Sequence, residues 1–141
     1  MFKTKERKTK SIGKLKKEAW DVFSLYTRMR DCLRTRATLD FGNCITCTKL
    51  VRRNEADAGH FIGRTHNATF FDERNVHLQC KHCNITGETL KYRREIIRLY
   101  GEGIDVELED KAIEIKKFTR AELIELKELY TQKIKELENG A

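Results

Sequence analysis

Apolar residues Leu15, Ala19, Trp20, Val22, Phe23, Tyr26, Met29 and Leu33 recur at helical spacing among lysines and arginines. The pattern predicts an amphipathic helix from about Lys14 to Leu39 whose stripe faces a core or a partner helix. Cys32 lies beside that stripe as a small apolar residue. Phe41-Gly42-Asn43 reads as the helix stop, since Gly and Asn tolerate the turned backbone that a stop requires. A second helical pattern follows Asn84, with Leu90, Ile96, Ile97, Leu99 and Tyr100 interleaved with Lys91, Arg93, Arg94 and Arg98, until Gly101-Glu102-Gly103 breaks it. Thr119-Arg120-Ala121-Glu122 reads as a capping box that opens a last helix, running to about Glu138, with Leu123, Leu126, Tyr130, Ile134 and Leu137 on one side. Between Cys44 and Asn84 the chain is short-patterned, turn-rich and holds all four histidines, so strands belong there and are few. The absence of Pro fits a chain dominated by helices.

Composition narrows the class. A length of 141 residues excludes a two-domain enzyme with a large cofactor fold. The formal charge is +7, unevenly spread: residues 1–100 hold 22 Lys/Arg against 11 Asp/Glu, and residues 101–141 hold 7 against 11. A polyanionic partner fits the basic part. Lys3, Lys5, Arg7, Lys8, Lys10, Lys14, Lys16 and Lys17 form a run that repels itself, read as a flexible arm over residues 1–17 that is either solvated or bound to phosphates. No apolar run is long enough to span a bilayer, so no membrane partner is expected and the chain reads as cytoplasmic.

Four of the five cysteines stand as Cys44-x-x-Cys47 and Cys80-x-x-Cys83, two knuckles separated by 32 residues. In a reducing compartment this spacing points to one tetrahedral structural Zn²⁺ rather than to disulfides, with every position on the ion filled by thiolate. The intervening segment offers only Phe61, Ile62, Phe70, Phe71, Val76 and Leu78 for burial, so metal binding supplies what its core lacks.

By strand alternation, Asp57-Ala58-Gly59-His60-Phe61 places Asp57 and Gly59 on one face and Ala58 and His60 on the other. With Asn75 in the following loop and Asn84 directly after the second knuckle, the segment resembles the HNH, or ββα-metal, endonucleases. Phe71-Asp72-Glu73-Arg74-Asn75-Val76-His77 and Gln79-Cys80 through Cys83-Asn84, followed by Gly87, Tyr92 and Arg93, narrow the likeness to the phage NinG or Rap recombination-nuclease family over roughly residues 21–101. The resemblance implies an α+β, mainly helical fold: a small zinc-stabilised ββα-metal core flanked by long N- and C-terminal helices. Its organisation would be the arm (1–17), the nuclease domain with its N-terminal helix (18–100) and a helical extension (101–141).

It also implies a metal-dependent endonuclease acting on branched recombination intermediates such as Holliday junctions, D-loops and flaps. Within that implication His60 is the general base, because imidazole can take a proton from water near neutral pH. Asn75 would orient its ring. A catalytic Mg²⁺ or Mn²⁺ would take oxygen from Asn84. Most family members carry Asp or His immediately before the base, where this chain has Gly59. Asp57, on the same face, is the favoured substitute ligand and His77 the other candidate. Arg64, Arg74, Lys91, Arg93 and Arg94 would contact phosphates, which position DNA without reading its sequence. The expected partners are branched DNA, phage or host recombination proteins and, from the two long amphipathic helices, a second copy in a homodimer. The competing reading is a zinc-ribbon protein that binds nucleic acid without cutting it.

Overall fold

The computed structural model describes residues 9–140. Ser11 caps the first helix, α1 (Ile12–Arg36), by accepting a hydrogen bond from the Lys14 amide, and Ala37 ends it in the left-handed conformation with its N–H on the Leu33 carbonyl. Residues 12–17 are therefore helix, and of the basic arm only residues 9–11 are described ahead of it; residues 1–8 lie outside the described part. The segment expected to stop the helix is instead a strand, β1 (Phe41–Asn43), paired antiparallel with β2 (Leu50–Arg52). Gly42 is required by packing rather than by a turn. A Cβ there would come within 2.9 Å of the Cys32 Cα, the Leu78 Cδ2 and the Thr35 Oγ1, so the missing side chain lets β1 lie against α1.

A short 3₁₀ turn leads to β3 (Asp57–His60). After the small helix α2 (Asn67–Phe70), β4 (Val76–Gln79) returns antiparallel, pairing Asp57 with Gln79 and His60 with Val76. The helix α3 (Lys81–Thr86) starts inside the second knuckle, with Cys80 as its cap, and stops at Gly87 in the left-handed conformation. Then follow α4 (Leu90–Tyr100), α5 (Ile104–Ala112) and α6 (Arg120–Gly140). β2, β3 and β4 fall in the segment from Cys44 to Asn84 where strands are expected, with β1 just ahead of it, and the Thr119 hydroxyl accepts from the Glu122 amide at the start of α6. The sequence reading missed α5 as a separate helix. It is anchored by Ile104, Leu108 and Ala112, all buried, at intervals of four.

The two long helices bury their stripes on each other and on β3 and β4. Phe23 meets Tyr130 edge to face at 4.7 Å, Tyr26 lies 5.0 Å from Tyr130, and Ala58 and Val76 join the same cluster. The stripes that suggested a homodimer thus pack on each other within one chain, while Ile12 of α1 and Ile124 and Leu129 of α6 stay exposed. On the other side, Ile45, Phe61, Tyr92, Ile96, Ile104 and Leu108 pack α4 and α5 against the first knuckle. Among the described residues, no helix is long and apolar enough to cross a membrane.

Charged side chains of α1 close the outer edge of β4. Buried Asp31 accepts the Leu78 amide at 2.7 Å, and Arg30 donates to the carbonyls of Val76 (2.7 Å) and Glu73 (3.0 Å) while pairing with Asp31 at 2.9 Å. Burial raises the Asp31 pKa, but the Arg30 guanidinium outweighs it and holds the carboxyl below its usual range. Replacing Asp31 by Ala leaves the Leu78 amide unpaired in the interior and takes from Arg30 its buried counter-ion, leaving it the carbonyls of Val76 and Glu73. Urea denaturation should show Asp31→Ala less stable by about 3 kcal/mol or more; a loss below about 1 kcal/mol would mean that the edge is held by other contacts.

Candidate functional site

The four knuckle sulfurs converge. Their Sγ atoms all lie within 4.8 Å of one another, and Cys47 and Cys80 are 3.8 Å apart. Sulfurs at the corners of a tetrahedron around an ion with bonds of about 2.3 Å would be about 3.8 Å apart, so the donor set fits a thiolate-bound metal. The amides of Thr46 and Cys80 reach the Cys44 Sγ at 3.4 and 3.3 Å, and the Cys83 amide reaches the Cys80 Sγ at 3.4 Å. Burial, reinforced by the neighbouring cysteines, pushes the Cys83 thiol up, so a cation is what would let all four sulfurs ionise together. The Ile45 amide donates to the Leu78 carbonyl at 2.9 Å and seats the first knuckle on β4.

The remaining candidates divide into two groups at opposite ends of β3. At its start, Asp57 accepts from Lys81 Nζ at 2.9 Å and from Asn84 Nδ2 at 3.0 Å. Burial raises its pKa, but these two bonds outweigh burial and hold it low. The structure thus brings together the two oxygen-bearing residues expected to hold a hard cation. For both to offer oxygen, Asn84 must turn its amide over and Lys81 must withdraw its ammonium.

At the other end of β3, His60 stacks on Trp20 of α1 with ring centroids 4.8 Å apart and lies against Phe70. Its Nε2 is 3.0 Å from the Phe70 carbonyl, which can only accept; Nε2 therefore carries the proton and Nδ1 is the basic nitrogen. Burial, with Arg64 and Lys16 nearby, lowers its pKa to about 4, so the ring is neutral at pH 7. Orienting the ring, the task expected of Asn75, falls to Phe70. Fully buried Asn75 braces the loop instead, accepting from the Ile62 amide at 2.7 Å and donating to the carbonyls of Ile62 and Thr69, both at 3.0 Å.

His77 cannot serve as the alternative cation ligand in this arrangement. It is fully buried, and both ring nitrogens are taken. The Tyr92 hydroxyl donates to the Gly59 carbonyl at 2.6 Å and so accepts from Nδ1 at 3.1 Å, while Nε2 accepts from the Tyr100 hydroxyl at 2.6 Å. Burial lowers its pKa to about 3. Gly59 also has a structural explanation. The Gln79 side chain, held by the Thr46 hydroxyl at 3.0 Å, fills the space, and a Cβ on residue 59 would meet its Oε1 at 1.8 Å.

Two of the expected phosphate contacts are engaged elsewhere. Arg74 is paired with Asp72 (3.1 Å) and Glu107 (2.9 Å), and Arg93 with Asp105 and Glu109, both at 2.8 Å. These arginines tie α5 to the core. Arg64, Lys91 and Arg94 are exposed, with no carboxylate partner among the described residues. The sequence reading missed Lys16 and Trp20 as neighbours of His60, because their helical spacing places them with the core stripe and the arm.

The family model described as Bacteriophage Lambda NinG protein matches residues 1–140. The chain belongs to the NinG family. Relatives include the NinG proteins of Escherichia phage 933W and Enterobacteria phage VT2-Sa, each 38% identical over 102 residues, covering 69% of this chain and 49% of theirs. The NinG protein of Escherichia phage lambda is 37% identical over 102 residues and 48% covered. The chain spans about half the length of the curated relatives it matches. No solved structure matches it.

Two outcomes follow from this geometry. Gly59→Ala should cost about 1–3 kcal/mol through overpacking, and appreciably less when Gln79→Ala is already present; equal costs in the two backgrounds would refute the filled space. His60 and His77 have folded pKa values below the free value of about 6.5. Their contribution to stability is complete above pH 6.5 and is lost as the pH falls toward 4 and 3. Urea denaturation should therefore show stability falling from pH 7 to pH 5 at up to about 1.4 kcal/mol per pH unit for each ring, with a smaller slope in His60→Gln. A flat profile would contradict the buried neutral rings.

Proposed function

We propose that this NinG-family protein is a metal-dependent endodeoxyribonuclease that cuts branched recombination intermediates, Holliday junctions, D-loops and flaps, during phage recombination. The observation that carries the reading is His60: a neutral imidazole whose Nε2 proton is committed to Phe70, leaving Nδ1 basic, beside the cations Lys16 and Arg64. Such a ring can take the proton of a water attacking phosphorus while the neighbouring cations favour the phosphate. A divalent Mg²⁺ or Mn²⁺, when bound, would stabilise charge on the scissile phosphate and the leaving oxygen. Asp57 and Asn84 are the residues that would hold it. Zn²⁺ on Cys44, Cys47, Cys80 and Cys83 would be structural, since thiolates fill its four positions. Phage or host recombination proteins are the natural further partners.

A second reading, a zinc-stabilised protein that binds branched nucleic acid without cutting it, is favoured by one feature. Asp57 and His60 stand three residues apart on alternate faces of β3, about 10 Å along the strand. Cleavage of labelled junction, flap and linear duplex decides between the two. Expected are one zinc per chain by metal analysis, cutting of branched substrates that requires added Mg²⁺ or Mn²⁺, and loss of at least about a hundredfold in rate in His60→Ala. Tight binding with no metal-dependent cutting would establish the second reading, and a His60→Ala protein as active as the parent would remove His60 as the base.

A further inference from the structure

A cleft of about 520 Å³ opens against Trp20 and Phe70, the two rings that pack on His60, and is lined by Gly13, Lys16, Lys17, Trp20 and Asp21 of α1 with Arg64 and Phe70. Two of its cations, Lys16 and Arg64, are held on aromatic faces. The Lys16 ammonium sits 4.1 Å above the Phe70 ring and donates to Asn67 at 2.9 Å, and the Arg64 guanidinium lies 4.8 Å above Trp20 and 5.6 Å from Phe70. Trp20 thus carries both His60 and Arg64. Stacking restricts both long side chains before any ligand arrives, which lowers the ordering cost of binding.

The charges in this cleft do not cancel. Asp21 is its carboxylate, and Lys17 already pairs with it at 3.1 Å. Among the described residues, neither Lys16 nor Arg64 has a carboxylate within salt-bridge distance. Burial, and after it the nearby Arg64 charge, lowers the Lys16 pKa. Gly13 brings the cleft to the first turn of α1, where the helix dipole also favours negative charge.

We propose that Lys16 and Arg64 form a phosphodiester subsite that holds one backbone phosphate of DNA in this cleft, with Trp20 as the platform that positions both Arg64 and the imidazole. The guanidinium fork suits a phosphate's paired oxygens, and the ammonium supplies a compact second charge. This inference rests on the reading of the protein as one that acts on DNA. It makes α1 part of the site.

The test is fluorescence anisotropy of a labelled four-way DNA junction and a labelled duplex, titrated over a range of salt without added Mg²⁺ or Mn²⁺. Lys16→Ala and Arg64→Ala should each weaken binding roughly tenfold on both substrates. Each should also reduce the slope of log K against log salt by about one. Because the two cations share one phosphate, the double variant should reduce that slope by no more than either single variant. Lys135→Ala, exposed on α6, should match the parent. Should Lys16→Ala fail to fold, as judged by circular dichroism, Lys16→Gln keeps the stem over Phe70 and gives the same readout. Parent-like affinity and slope in the variants, with DNA binding intact in the parent, would overturn the subsite alone. A parent that binds neither substrate would overturn the DNA reading and the subsite with it.

Discussion

The outer edge of β4 is the constraint on which the rest of the molecule hangs. Each strand of the β3–β4 pair is four residues long, and a two-stranded sheet is marginal in water unless other elements cover it. Among the described residues no third strand covers the edge. An ion pair from α1 does, Asp31 taking the Leu78 amide and Arg30 supplying the Val76 carbonyl, and the Ile45 amide takes the Leu78 carbonyl. These bonds fix α1 across the hairpin. That placement brings Trp20 onto His60, gives α6 a surface through Phe23 and Tyr26, and seats the first knuckle near the second.

The same economy explains the polar interior behind β3. Replacing His77 by an apolar residue would leave the Tyr92 and Tyr100 hydroxyls without the ring that joins them, and the chain from Gly59 through Tyr92 and His77 to Tyr100 would be cut. Buried polar groups are tolerated when each finds a partner, and each bond here has an unambiguous donor. The network joins both strands of the hairpin to α4. The four-cysteine cluster and this network thus brace the hairpin from different sides, which suits strands whose sizeable buried apolar side chains are Val76 and Leu78.

Much of this was legible in the sequence, and what was not has a common cause. The cysteine pairs, the Thr119 cap, the break at Gly101 and the placement of β2, β3 and β4 are local patterns, and they stand where the pattern puts them. Gly42 looked like a turn residue because its neighbours in space, Cys32 and Leu78, lie 10 and 36 positions away in the chain. Arg74 and Arg93 looked like phosphate contacts because Glu107, Asp105 and Glu109 belong to a helix that the sequence reading did not separate. His77 looked available because neither tyrosine that occupies it is near it in sequence. Motif spacing locates a side chain on a strand; its partners are set by tertiary packing.

His60 shows the distinction most sharply. Its position at the end of β3 follows from the motif, but its protonation state follows from three segments outside the strand: the Phe70 carbonyl from α2, the Trp20 ring from α1 and the cations Lys16 and Arg64. The carbonyl decides which nitrogen is basic, while burial and positive charge keep the ring neutral. Asn75 acts one step further out. By tying Ile62 to Thr69 it fixes the loop that presents Phe70, so a residue with no contact to the imidazole still determines where the imidazole points. An asparagine in that loop is therefore needed for a reason the motif does not disclose: its carboxamide both accepts and donates, and only such a group closes the loop with every buried polar atom paired.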